Sequence, residues 1–220
     1  MAFDKLLYQS LSKLQKVCLT QNIPFVSYRL PLNREIFTLV QHHSMPEKLK
    51  SLDGLHDRTG FVVAPFTDSG EHATFFLVPD CVFFSNDIAD IYIEKLEANN
   101  RFIELKKKGN TLHTTNSDEF IDSVNKAIFD IKAAEYQKLV LSKVRIEQLP
   151  NGFQPEDFFL KLCQKYPHAF VYMMQLPEVG CWIGATPEPL ITIENGSVKT
   201  VSLAGTQIAT DADPESYRWS

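Results

Sequence analysis

No stretch of this sequence approaches the roughly 18 consecutive apolar residues that a membrane-spanning helix requires. The N-terminus also lacks the apolar run of a secretory signal. Phe3, Leu7, Leu11, Leu14 and Cys18 recur instead at helical spacing with lysines and serines between them, which predicts an amphipathic docking helix on a soluble chain with no membrane partner. Basic residues do not gather into a stripe. The 22 Lys and Arg are mixed with 27 Asp and Glu for a net charge of -5, which argues against a surface built to track a phosphate backbone and so against nucleic acid as a partner. Cysteine is scarce, and Cys18, Cys81, Cys163 and Cys181 have neither CxxC spacing nor adjacent histidines. They read as reduced thiols in a cytoplasmic protein, not as a disulfide framework or zinc site. His42-His43 has no carboxylate or thiol at metal-ligand spacing, and neither common glycine-rich phosphate loop occurs. No metal ligand set is therefore predicted within the chain. Internal repeats and low-complexity segments are missing too.

What is present is enough for a sizeable core: 220 residues, 44% of them hydrophobic. The segments "PFVSYRLP", "EIFTLVQ", "GFVVAPF" and "ATFFLV" are rich in β-branched and aromatic residues and bounded by turn formers, so the first half reads as β-rich. Residues 87–108 start acidic and close on three lysines and Gly109, as a helix would, with Asn99-Asn100 as a point of interruption. A second helix is predicted from Asn116 or Ser117 to near Glu135, with Phe120, Val124, Ile128 and Ile131 as its apolar stripe. A third runs from about Pro155 to Tyr166 with Phe158, Phe159, Leu162 and Cys163 inward. "AFVYMMQL" and "CWIGA" then read as buried strands. The pattern is α+β, antiparallel sheets with helices packed outside, in two parts: a β-rich 1–110 with its docking helix, and 111–220.

Two residues stand out for chemistry. "YQKLVLSKVRIE" alternates as a strand would, placing Lys138 with Val140, Val144 and Ile146. Its amine either lies with its stem on the sheet and its charge in water, or is partly desolvated and usable as a base. Asn195-Gly196 is a strong two-residue hairpin signal. It sets Glu194 opposite Ser197, and counting outward sets Glu188 opposite Leu203, beside the small-residue loop Ala204-Gly205-Thr206. Glu188 is then a solvated strand-end carboxylate, or a proton donor beside a loop whose backbone N–H groups grip a substrate.

"KLVLSK", "WIGATPEPL" and "SLAGT", in that order, resemble the chorismate-utilising enzymes, among them isochorismate, salicylate, anthranilate and aminodeoxychorismate synthases. The resemblance is good over about residues 117–220 and loose before that. It implies a partial chorismate-binding-enzyme fold, chorismate as substrate, Lys138 as general base, Glu188 as general acid and the Ala204-Gly205-Thr206 loop as a substrate contact. Aminating anthranilate synthases typically have glutamine at the Lys138 position. Aminodeoxychorismate synthases often have a nucleophilic lysine where Ala204 stands. Lys138 and Ala204 together therefore imply addition of water, which makes isochorismate for menaquinone or siderophore synthesis.

The resemblance also implies Mg2+, with ligands expected beyond Ser220, and an inactive isolated chain whose uncovered surfaces favour self-association. Lys143 replaces the family's usual arginine, and Pro189 its usual leucine. Salicylate synthase, and a non-catalytic binding or interaction module, remain alternative readings.

Overall fold

The computed structural model describes residues 8–53, 55, 57–66, 73–84, 87–98 and 113–201. In chain order these residues form α1 (Gln9–Gln21), β1 (Phe25–Arg29), β2 (Phe37–Val40), β3 (Glu47–Leu49), β4 (Phe61–Val63), β5 (Thr74–Leu77), β6 (Cys81–Phe84), α2 (Asp90–Ala98), α3 (Ser117–Lys132), α4 (Pro155–Lys165), β7 (Phe170–Leu176), β8 (Gly180–Thr186), β9 (Thr192–Glu194) and β10 (Ser197–Lys199). Every strand pairing among them is antiparallel, so the class is α+β. None of the described helices is long and apolar enough to cross a membrane.

The chain divides into two compact units, Met1–Lys108 with Asn151–Pro187, and Gly109–Pro150 with Glu188–Ser220. In the first unit a five-stranded sheet runs in the order β6-β2-β1-β7-β8 and a three-stranded sheet in the order β3-β5-β4. Strands β7 and β8 thus pair into the sheet begun by β1 and β2, across the sequence break expected near residue 110.

Alternation along the strands sorts their side chains between two cores. Phe25, Val40, Val171 and Met173 pack with Leu11, Leu14 and Cys18 of α1, Ile93 and Leu96 of α2, and Phe159 and Cys163 of α4. Their sequence neighbours Val26, Leu39 and Met174 pack with Phe75 and Leu77 of β5. The five-stranded sheet is therefore covered on both faces, by helices and by the smaller sheet. This accounts for the nearly unbroken burial of β7. The predicted N-terminal helix is built into this core, and its predicted members Phe3 and Leu7 lie outside the described residues.

Several polar side chains in the core link its elements by hydrogen bonds. The Gln15 side-chain amide donates to Ser27 Oγ at 2.9 Å, and Ser27 Oγ shares a 2.8 Å hydrogen bond with Thr38 Oγ1, tying α1 to β1 and β2. Arg29, 5% exposed, donates to the carbonyls of Leu30, Asn33, Pro167, Tyr166 and Ala169. It thereby fastens the end of β1 to the turn between α4 and β7. The same guanidinium faces Cys163, but burial prevails and pushes that thiol up to about 11.

Several expectations change. Strands β3 and β6 were not foreseen. β3 is short and charged, and β6, "CVFF", carries β-branched and aromatic residues and pairs with β2. Within the predicted helix over 87–108 the structure shows α2, and Asn99-Asn100 and residues 101–108 lie outside the described residues. On α4 the buried set is Glu156, Phe159, Leu160 and Cys163, while Phe158 is exposed. The stripe is rotated by about one residue because the sheet, not the sequence pattern, decides which side faces in.

The second unit is built differently. Helix α3 starts at a full capping box: the Asn116 side chain accepts from the Glu119 N–H at 2.9 Å, and Glu119 accepts from the Asn116 N–H at 3.0 Å. It ends at Lys132, three residues before the predicted Glu135, because Ala134 turns left-handed at φ 62° and the Glu135 N–H returns to the Asp130 carbonyl. The predicted stripe of Phe120, Val124, Ile128 and Ile131 exists on the helix, but α3 buries none of its residues.

Candidate functional site

Lys138 lies in the stretch 136–150, which forms no strand, contrary to the alternation of its sequence. A strand needs a partner for its backbone groups. Here, among the described residues, its backbone meets Thr114 and Thr115: the Thr115 N–H donates to the Val144 carbonyl at 2.9 Å, and the Val144 and Ile146 N–H groups donate to the hydroxyls of Thr115 and Thr114. Lys138 and its neighbour Val140 are exposed. Nearby, the Lys143 ammonium sits 5.4 Å from the centre of the Phe120 ring, a cation–π contact that the arginine usual in similar sequences would make with a planar face.

Glu188 follows β8 directly, between Pro187 and Pro189, and is exposed. Pro189 biases it toward extended backbone. The hairpin beyond it has the predicted register, with Glu194 opposite Ser197, Ile193 opposite Val198 and Thr192 opposite Lys199. Asn195 at φ 51° and Gly196 at φ 77° form the turn of positive φ that the Asn-Gly pair calls for. The Thr200 hydroxyl closes the hairpin onto the Leu190 carbonyl at 3.0 Å. Ladder pairing stops at Thr192 and Lys199. Leu203, the counted partner of Glu188, and the loop Ala204, Gly205 and Thr206 lie outside the described residues. Lys138 and Glu188 both belong to the second unit.

The motif preceding Glu188 has a packing explanation of its own. Gly184 lies opposite Tyr172 across the β7–β8 pair, and a Cβ at Gly184 would fall 2.6 Å from that ring. Trp182 anchors the same strand by donating its indole N–H to the Val179 carbonyl at 3.1 Å. Thus "WIGAT" is a well-fixed strand of the first unit that leads into Glu188.

The structure corrects the reading of His42-His43. The carboxylate absent nearby in sequence is supplied by Asp80, because β2 pairs with β6 and sets Val40 opposite Cys81. Asp80 Oδ2 accepts from the backbone N–H groups of His42 at 2.6 Å and His43 at 2.9 Å, and the two Nδ1 atoms lie 3.4 and 3.1 Å from its oxygens. Partial burial works against the Asp80 charge, but the hydrogen bonds from His43 and His42 outweigh it and hold the carboxyl below its usual range.

A family model described as chorismate binding enzyme matches residues 38–217. The isochorismate synthase MenF of Haemophilus influenzae is 27% identical over 107 residues, 47% of this chain and 25% of that protein. Anthranilate synthase component 1 of Mycolicibacterium smegmatis is 28% identical over 95 residues, 41% of this chain and 18% of that protein. The matched stretches thus span a quarter or less of these relatives. No solved structure gives a significant match.

Proposed function

This chain belongs to the chorismate-binding enzyme family, and from that premise we propose that its protein converts chorismate to isochorismate. The observation that carries the choice of water over ammonia is the lysine at position 138, supported by the resemblance to an isochorismate synthase. Lys138 takes a proton from a water that attacks C2 of the ring, while Glu188 protonates the C4 hydroxyl as it leaves. One water enters and one departs, so the product is an isomer. The loop Ala204-Gly205-Thr206, with no side chain beyond Cβ at its first two positions, lets backbone N–H groups approach a substrate oxygen.

Magnesium, implied by the resemblance, calls for oxygen ligands. The one group of metal-ligating side chains found among the described residues, His42, His43 and Asp80, is mainly nitrogen and does not fit it. The proton transfers at Lys138 and Glu188 are therefore the steps this chain's residues carry.

The similarity to an anthranilate synthase component favours a second reading, amination of chorismate. Incubation of the whole protein that carries this chain with chorismate and Mg2+, with and without ammonium, followed by chromatography separates the two. Isochorismate formed without ammonium, and lost by about a hundredfold or more in Lys138→Ala, is the expected result. Anthranilate formed only with ammonium, or full turnover by Lys138→Ala, contradicts it.

A further inference from the structure

We propose that His42, His43 and Asp80 form a binding site for a divalent late transition metal ion of the zinc type. All three residues lie in the first unit, and one ligand atom from each falls within 4.8 Å of the other two. An ion held tetrahedrally at about 2.0–2.2 Å from nitrogen and oxygen ligands spaces those ligands roughly 3.3–3.6 Å apart. His42 Nδ1 lies 3.4 Å from Asp80 Oδ2 and His43 Nδ1 3.1 Å from Asp80 Oδ1, each close to that spacing, and all three ligands reach one ion by shifts within the 4.8 Å that already bounds them.

The site is built on fixed backbone. Asp80 is oriented by the two N–H groups on its Oδ2, and its own N–H donates to the Val40 carbonyl at 2.8 Å, holding the start of β6 to the end of β2. The Tyr92 hydroxyl lies 3.2 Å from His42 Nδ1, so an ion bound at that nitrogen takes the place of this hydrogen bond. The backbone N–H bonds to Asp80 are the kind of outer contact that sets the aim of a metal ligand. Imidazole nitrogens with one carboxylate suit zinc, copper or nickel better than magnesium or calcium. His42 is mostly buried and His43 is 71% exposed, so the ion would enter past His43 and keep a water in its fourth position. Binding would clamp the loop after β2 to the strand it pairs with.

Calorimetric titration of the protein with zinc chloride tests this, with cobalt(II) absorption as the second readout. One ion per chain is expected, with a cobalt spectrum free of thiolate charge transfer, because Cys18, Cys81, Cys163 and Cys181 are free thiols that must be ruled out as ligands. His43→Ala and Asp80→Asn should each weaken binding by at least about tenfold to a hundredfold, the loss that even outer-shell changes produce. His43→Gln gives the same reading should alanine disturb the loop. No zinc binding, unchanged affinity in the His43 variants, or a thiolate band would each overturn the proposal.

Discussion

Helix α1 of the first unit has Tyr8 as its N-cap residue, which makes no side-chain cap, and has no acidic residue in its first turn and no basic residue in its last. It nevertheless buries Leu11, Leu14, Gln15, Val17 and Cys18. Helix α3 of the second unit has a capping box, Asp118 and Glu119 in its first turn and Lys132 in its last, and buries nothing. The same contrast runs through both units. Every buried apolar side chain among the described residues belongs to the first, while Val140, Val144, Ile146, Ile193 and Val198 of the second are exposed. One helix is held by the sheet it covers and the other by signals within its own sequence. Tertiary packing is the stronger of the two means, since capping and dipole effects contribute about 1 kcal/mol each and a buried leucine several times that.

Truncation should separate the units most sharply. Leu14→Ala is expected to destabilise the first unit by about 2–5 kcal/mol in chemical denaturation, whereas Ile128→Ala on α3 should stay within about 0.5 kcal/mol. Equal losses would mean that α3 has a core after all. A smaller effect is expected from the cap. Asn116→Ala should cost about 1 kcal/mol and loosen α3 alone, visible as faster amide exchange at 117–132 with α1 unchanged.

The smallest effect concerns pH. The Asn116 backbone N–H and then the His113 ring, 3.0 Å away, hold the Glu119 carboxyl below its usual range. A depressed carboxylate stabilises the fold above its unfolded pKa of about 4.3 and loses that contribution as pH falls through the lower folded value. Carbon chemical shifts of α3 should therefore move toward coil at acid pH. Glu119→Gln should flatten that dependence, and an unchanged one would remove Glu119 from it.

How far the sequence revealed this architecture follows the same division. Local signals were readable: the Asn195-Gly196 turn set its hairpin register, and Asn116 marked the start of α3. β-branched and aromatic residues between turn formers located β1, β2, β4 and β5 as well. Facts that depend on a distant partner were not readable. Residues 136–147 alternate like a strand yet lack a ladder, Phe158 falls on the predicted inward stripe of α4 yet faces solvent, and Asp80 reaches His42 only through β2–β6 pairing. Lys138 stood out by strand alternation and Glu188 by hairpin register, the motif resemblance gave them their roles, and both are exposed in the second unit.

If the second unit carries the chemistry, chorismate must leave its mark there. Amide hydrogen exchange, followed peptide by peptide with and without chorismate, reads this directly. Slower exchange at residues 136–146 and 188–206, with α1, β1 and β7 unchanged, is the predicted result; slowing confined to the first unit, or none anywhere, would contradict it.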